Sequence, residues 1–269
     1  MSIAIIGCGV MGSALATHLA LRHRVFLYDH NSHKREQLAQ KIKAAPCSTM
    51  QGAVVQAQIC FLCVKPKDLP LVAKELETTS LKGKILVSIL AGTSITTLHG
   101  YFPEAQLVRS MPNLGLIYEQ GVQGLVGGPN LSSSSKELVE RVMMGMGLNL
   151  WLSEEKIEAL TALSGSGIAF ILVMIEALID GGVDLDFEPQ VAQEIVLQTL
   201  KGALSLLEKS GKGCKELILQ IASPGGTTVA GLKVMEEGSV HSGIVKTLRA
   251  CHDKALIMNK GIQGHGKEN

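Results

Sequence analysis

The spacing Gly7-Cys8-Gly9-Val10-Met11-Gly12 is one that can hold phosphates. In a G-x-G-x-x-G loop the first glycine allows a tight turn and the second lets the backbone approach a pyrophosphate. The third lets helix and strand pack closely. Backbone N–H groups and the positive end of the following helix then face the phosphates. In a chain with 29 glycines the motif alone says little. Its position says more, because it follows a strand-like run, Ser2–Ile6, and opens a helical pattern, Gly12–Leu21. The plainer alternative is an ordinary glycine-rich turn.

Three further segments belong with that loop. Asp29 ends a second strand pattern, where an acidic side chain accepts hydrogen bonds from a ribose 2′-hydroxyl and disfavours a 2′-phosphate. That favours NADH. His30, His33, Lys34 and Arg35 follow at once, and suit the 2′-phosphate of NADPH if Asp29 turns away. A capping Asp29 and a solvated basic helix start are the structural alternatives, so both cofactors stay open. Cys63-Val64-Lys65-Pro66 closes a third strand, and ligands of open α/β sheets lie at the carboxyl ends of strands. Lys65 there faces a cofactor crevice or is a solvent-exposed loop lysine. Around Ala91, in Ser88–Thr93, small residues permit close approach on the nicotinamide side.

Two segments far from the glycine loop concentrate small polar residues. Ser164-Gly165-Ser166-Gly167 interrupts a long helical pattern. Glycine inside a helix costs about 1 kcal/mol relative to alanine, so close packing or a ligand near the backbone is expected. Ser223-Pro224-Gly225-Gly226-Thr227-Thr228 precedes another helix. Free N–H groups at that helix start, with hydroxyls from Ser223, Thr227 and Thr228, suit a carboxylate. A turn with a threonine N-cap is the alternative.

The elements that must position these residues fall into two kinds. Residues 1–152 alternate strand and helix: Ser2–Ile6, Gly12–Leu21, Arg24–Asp29, Ser32–Ala44, Ile59–Val64, Asp68–Thr78, Lys84–Ile89, Gln106–Arg109 and Leu148–Leu152. Continuous apolar runs such as Ile3-Ala4-Ile5-Ile6 predict parallel strands covered on both faces. The class is α/β, with a doubly wound Rossmann-type domain at the N-terminus. Gly127-Gly128-Pro129 punctuates the chain, and Ser132–Ser135 suits the cap of a following helix. Residues 153–269 read as all helical: Glu154–Ile179, Pro189–Lys209, Lys212–Ala222, Thr228–Glu237 and Val240–Lys260. Apolar residues on more than one face, as in Ile168-Ala169-Phe170-Ile171-Leu172-Val173, predict burial against another chain. An intertwined homodimer is the expected assembly, with a frayed tail from Gly261 to Asn269.

Composition excludes other classes. With 25 basic and 24 acidic residues among 269, no excess charge is available to grip a nucleic acid. The most apolar stretch, Ile168–Val183, falls short of the roughly 20 residues that span a bilayer, and is expected to be a buried helix. The start Met1-Ser2-Ile3-Ala4 lacks a charged leader, so no membrane or secretory address is expected. The six cysteines show neither a disulfide framework nor paired metal-ligand spacing. Cys60-Phe61-Leu62-Cys63 is a C-x-x-C, yet it lies in an apolar run where small cysteines fill a strand. No metal is expected, and the compartment is expected to be reducing, most simply the cytoplasm.

Taken in order, these segments resemble the pyrroline-5-carboxylate reductase family. The resemblance covers nearly the whole chain: the glycine loop Gly7–Gly12, Val64-Lys65-Pro66, Arg109-Ser110-Met111-Pro112-Asn113, Ala162–Gly167, Glu176-Ala177-Leu178 with Asp180–Val183, and Ser223–Leu232. The last is the most specific. The chain departs from the family pattern at Val10, where asparagine is frequent, at Leu114-Gly115, where Thr-Pro is frequent, and at Ile168, where proline is frequent. The resemblance implies reduction of L-1-pyrroline-5-carboxylate to L-proline with NADH or NADPH, the last step of proline biosynthesis. It implies a cofactor site on Gly7–Gly12, Asp29, Cys63–Pro66 and Ala91. It also implies a substrate site on Ser223, Gly225, Gly226, Thr227 and Thr228, with Thr228 at the ring nitrogen and two chains meeting at one active site. A β-hydroxyacid dehydrogenase shares the layout but uses a lysine on its mid-chain helix, where this chain has only Lys156, near the start. A non-catalytic dinucleotide-sensing protein would not require the Ser223–Thr228 loop.

Overall fold

The computed structural model of the chain describes residues 1–264, with side chains through residue 259. By contacts it forms two compact units. One comprises Met1–Ser166 with the described residues from Cys251 onward, and the other Gly167–Ala250.

The first unit is built on eight strands: β1 Ser2–Ile6, β2 Arg24–Tyr28, β3 Ala45–Pro46, β4 Ile59–Leu62, β5 Ile85–Ser88, β6 Gln106–Pro112, β7 Gly121–Gly127 and β8 Gly147–Trp151. Their spatial order is β3-β2-β1-β4-β5-β6-β7-β8. Strands β1 to β6 are parallel wherever they pair, with Ile5 opposite both Leu27 and Phe61. The continuous apolar runs do face two cores. Ala4, Ile6, Cys60, Leu62 and Leu86 pack on one side of the sheet. Ile3, Ile5, Ile59, Phe61, Ile85 and Val87 pack on the other. Fully burying each large side chain stabilises by about 1.5–3 kcal/mol, which is why every position of β4 is apolar.

The sheet is not parallel throughout. β7 runs antiparallel to β6, with Pro112 opposite Gln123, and β8 is parallel to β7. The glycine-rich sequence of β7 hides it from a propensity reading. A Cβ on its Gly124 would meet the Leu160 side-chain end, which would have to shift.

Helices α1 Val10–Ala20, α2 Ser32–Ile42, α3 Met50–Gln56, α4 Leu69–Leu76, α5 Ile95–Tyr101 and α6 Ser133–Met143 complete the layers. Local chemistry sets their starts. Asn31 caps α2 by accepting from the Lys34 N–H at 3.1 Å, and Ser132 caps α6 as expected, accepting from the Ser135 N–H at 3.2 Å. Helix α2 stops before the expected Ala44 because Lys43 turns left-handed, with φ 56°. The short elements β3, α3 and α5 carry too few residues for a periodic signal.

The expected helix Glu154–Ile179 is not one helix. A 3-10 turn, Glu154–Lys156, leads into α7, Ile157–Leu160, then a π-helical turn, Thr161–Gly165, then α8, Gly167–Asp184. The break falls on the Ser-Gly-Ser-Gly segment, and π turns of this kind recur at functional sites. The helical run Glu154–Asp184 is long and apolar enough to cross a membrane by length and composition, which corrects the shorter span read from Ile168–Val183. Nor is α8 buried within the single chain: Leu172 and Val173 are 57% and 62% exposed. Helices α9 Pro189–Lys209, α10 Cys214–Ile221, α11 Thr227–Glu237 and α12 Val240–Gly264 follow. Pro189 occupies the first turn of α9, where its missing N–H costs nothing. Helix α12 continues past the expected end at Lys260, so residues 261–264 are helical; the rest of the expected frayed tail, 265–269, lies outside the described residues.

Candidate active site

Strand β1 is flanked by β2 and β4, so the chain turns to opposite sides of β1. That is the switch point at which open α/β sheets bind ligands. A cleft of about 580 Å³ lies there, lined in part by Gly7, Gly9, Asp29, His30, Lys34, Cys63, Val64 and Lys65.

The three loop glycines serve three different purposes. Gly7 has φ +104°, and a Cβ on it would come within 2.6 Å of the Cys63 carbonyl oxygen. A Cβ on Gly12 would overlap the Gly7 carbonyl, so this glycine permits the crossing of helix and strand. A Cβ on Gly9 would meet nothing within 4 Å. Gly9 is the N-cap of α1 and offers no side chain to fill the helix end. Open space above a helix N-terminus fits a dinucleotide pyrophosphate.

Not every residue expected at the cofactor site lines this cleft. Cys8 is buried, and its N–H donates to Asp29 Oδ2 at 2.7 Å. Val10 points outward, and Met11 packs against the core beneath the sheet. Pro66 opens a 3-10 turn, Pro66–Asp68. Ala91 is half-buried in the turn after β5. Tyr28, Met50, Lys67, Asp68, Leu71 and Glu75 also line the cleft, and sequence reasoning missed them. The spacing of Asp68, Leu71 and Glu75 along one helical face was the available signal for three of them.

Burial pushes the Cys8 thiol up to about 12, with the Asp29 charge adding to the effect. Burial likewise pushes Cys60 up to about 12 and raises Cys63. Thiols held protonated in this way are poor nucleophiles and metal ligands, which favours the packing reading of Cys60 and Cys63.

Two segments distant in sequence meet at the π turn. Asn113 Nδ2 donates to Ser164 Oγ at 2.9 Å, and Asn113 Oδ1 accepts from the Gly115 and Val122 N–H groups at 3.2 and 3.0 Å. Cys251 Sγ lies 3.2 Å from Ser166 Oγ. Beside them sits a buried ion cluster absent from the sequence reading. Arg109 donates to Glu154 and Glu158, both at 3.0 Å. Glu154 also accepts from the Ile95 N–H at 2.6 Å, and Glu158 from Asn259 at 2.9 Å. Nothing local signals these partners, because the contacts span 45 to 101 residues.

In the helical unit, Gly226 rather than a threonine is the N-cap of α11, and no side chain caps the helix. Gly225 has φ +71°, a conformation that turns the loop sharply. Gly226 donates to the Ser223 carbonyl at 3.0 Å, closing the turn. Ser223 and Thr227 are exposed and Thr228 is half-exposed. An uncapped helix start beside three accessible hydroxyls can receive a carboxylate.

Two family models match separate parts of the chain. Residues 154–258 match the family model described as pyrroline-5-carboxylate reductase dimerisation. Residues 2–92 match the one described as NADP oxidoreductase coenzyme F420-dependent. A pyrroline-5-carboxylate reductase of Aquifex aeolicus is 32% identical over 259 residues, covering 95% of this chain and 96% of the relative. The crystal structure of a Plasmodium falciparum pyrroline carboxylate reductase with NADP bound is similar with a TM-score of 0.86 at 27% identity, over 96% of this chain and 98% of that one. A Streptococcus pyogenes 1-pyrroline-5-carboxylate reductase gives a TM-score of 0.85 at 28% identity, over 95% and 98%. With the cradle at the sheet's switch point, the uncapped α11 loop and relatives matched from end to end, the chain belongs to the pyrroline-5-carboxylate reductase family.

Proposed function

We propose that the chain reduces L-1-pyrroline-5-carboxylate to L-proline with NADH or NADPH, the closing step of proline biosynthesis. The observation that carries this reading is the pairing, in one chain, of the open cradle over Gly9 with the uncapped Ser223–Thr228 loop. A dihydronicotinamide held in the cradle would supply the hydride for the C=N carbon of the ring. What the protein must do is align the two reactants, and alignment alone removes about 7–11 kcal/mol of barrier in favourable cases.

In this reading residues 1–152 hold the dinucleotide. Gly7, Gly9, Asp29, Cys63, Val64 and Lys65 line the dinucleotide cleft, and Cys8, Val10, Met11, Gly12, Pro66 and Ala91 shape the loops around it. Residues 153–269 carry self-association and the substrate loop. The N–H groups of Thr227 and Thr228 hold the substrate carboxylate, Ser223 assists, and Gly225 and Gly226 shape the turn, with the Gly226 N–H closing it on the Ser223 carbonyl. The Thr228 hydroxyl hydrogen-bonds the ring nitrogen and places the proton that the amine product gains. A cyclic imine is basic and binds as an iminium, so no strong protein acid is required. The exposed apolar face of α8 and the match to a dimerisation model support a dimer, or a multiple of dimers, in which one active site draws on two chains. Six free cysteines suit the cytoplasm.

The test is to follow NAD(P)H absorbance with pyrroline-5-carboxylate as substrate. Oxidation is expected, and its absence with either cofactor overturns the reading. Oxidation only with a keto acid would favour a β-hydroxyacid dehydrogenase. In the same assay Thr228→Ala should lower kcat by about 100-fold while leaving dinucleotide binding intact. Unchanged turnover would remove Thr228 from the mechanism.

A further inference from the structure

Helix α5 begins at Ile95, directly after the turn that closes β5 and carries Ala91. The first N–H groups of a helix have no partner within it. Ser94 satisfies one, accepting from the Thr97 N–H at 3.0 Å. The Ile95 N–H is satisfied from far along the chain, by Glu154 Oε1 at 2.6 Å. A carboxylate is favourably placed at that end of a helix.

Glu154 does not act alone. The same Oε1 accepts from Arg109 Nη1 at 3.0 Å, and Arg109 Nη2 donates to Glu158 Oε1 at 3.0 Å. One guanidinium therefore serves two carboxylates. The Arg109 and Glu158 side chains are 3% and 5% exposed, and that of Glu154 is 30% exposed. The shortfall is met by Asn259 of α12, whose Nδ2 donates to Glu158 at 2.9 Å across 101 residues of chain. A carboxylate only accepts, so the amide nitrogen must face it. A second contact in register seats the same helix: Cys251 Sγ lies 3.2 Å from Ser166 Oγ. Cys251 precedes Asn259 by the same eight residues by which Ser166 follows Glu158, so the two segments run antiparallel.

We infer that Asn259 is a positioning residue: by satisfying Glu158 it lets Arg109 be shared with Glu154, which holds the start of α5 and with it the turn after β5. Without Asn259, two carboxylates compete for one cation in a buried setting, where an unmatched charge is costly. Glu154, the more exposed of the two, is the one that yields. The end of the last helix thus reaches the Ile95 N–H through four successive hydrogen bonds. The consequence for turnover rests on the proposed reductase reading, in which Ala91 lies on the nicotinamide side. The consequence for the Ile95 N–H does not.

The experiment compares Asn259→Leu with the wild type, as full chains, by hydrogen exchange of the Ile95 amide and by turnover of pyrroline-5-carboxylate with NAD(P)H. Exchange at Ile95 should be about tenfold faster in the variant. Its kcat should fall about tenfold while KM for the dinucleotide stays within about twofold, because a loosened turn spoils alignment rather than binding. Asn259→Asp, which sets a third carboxylate beside Glu158, should exceed both effects. Glu154→Gln breaks the relay at its last link, so adding Asn259→Leu to it should speed Ile95 exchange no further. A merely structural Asn259 would lower Tm and leave Ile95 exchange at its wild-type rate, and that result overturns the inference. Full additivity in the double variant overturns it too, as does faster Ile95 exchange with kcat unchanged. A wild-type chain that does not turn over pyrroline-5-carboxylate would sink the proposed reaction, and the exchange rates of the single and double variants would then decide the inference by themselves.

Discussion

In the sheet unit β1 runs Ile3-Ala4-Ile5-Ile6 with none of the four exposed, whereas in the helical unit the consecutive residues Leu172 and Val173 of α8 lie open. Among the described hydrophobic residues of Gly167–Ala250, Ala192 and Leu217 are the buried ones. The two units therefore solve the same problem differently. The first encloses its apolar surface with its own layers. The second displays its apolar surface, and its match to a dimerisation family identifies self-association as the means of covering it. The contrast teaches that the cofactor cleft should survive changes that leave the helical unit without a partner.

The sharpest test of the first unit's self-sufficiency is its buried ion cluster. Arg109→Met leaves the Glu154 and Glu158 carboxylates without their cation, and should destabilise the fold by about 3–5 kcal/mol in urea unfolding. A loss below about 1 kcal/mol would mean that the cluster behaves as a surface pair. Val173→Glu tests the other side of the comparison. A charge on the open face of α8 should weaken self-association by about 3 kcal/mol, roughly 100-fold, in sedimentation equilibrium, while dinucleotide affinity holds. An unchanged oligomer would break the contrast between the units.

Within the cradle the effects are smaller. Gly12→Ala overlaps the Gly7 carbonyl and should cost about 1–3 kcal/mol of stability. Gly9→Ala meets open space, so it should leave stability within about 0.5 kcal/mol yet lower dinucleotide affinity in calorimetry. Equal stability losses at both positions would erase the distinction between packing and ligand approach.

The smallest effect concerns pH. Cys8 and Cys60 hold their protons up to about 12 in the fold, whereas an unfolded thiol releases its proton near pH 8.5. Below that value both states are protonated and stability is unaffected. Between there and about 12 the unfolded state binds fewer protons, so stability should fall as pH rises. Urea midpoints at pH 8 and pH 10 would show it, with a shallower drop in Cys60→Ala.

Much of this was legible in the residues, for stated reasons. Strands β1, β2 and β4 were readable because apolar runs bounded by turn residues have few other solutions. Helix α9 was readable from Pro189 and its length. Strand β7 was not, because its glycines lower strand propensity and one of them, Gly124, lies against Leu160, a residue distant in the chain. The glycine loop was readable as a motif, and the spacing of Asp68, Leu71 and Glu75 offered a signal that was missed, but Met50 carries none, since it reaches the cleft only through the packing of α3.

The sequence by itself determined the doubly wound class, the glycine loop and the Ser223–Thr228 turn, because each rests on backbone demands that only particular residue types satisfy at short range, and its ordered segments carried the resemblance to the family. The tertiary structure alone decided where the Asp29 carboxylate points, that Arg109 bridges two glutamates, that the mid-chain helix breaks in a π turn, and that α8 lies open. Each of those depends on which distant segments come within hydrogen-bond or van der Waals reach, and a side chain's identity does not carry that information.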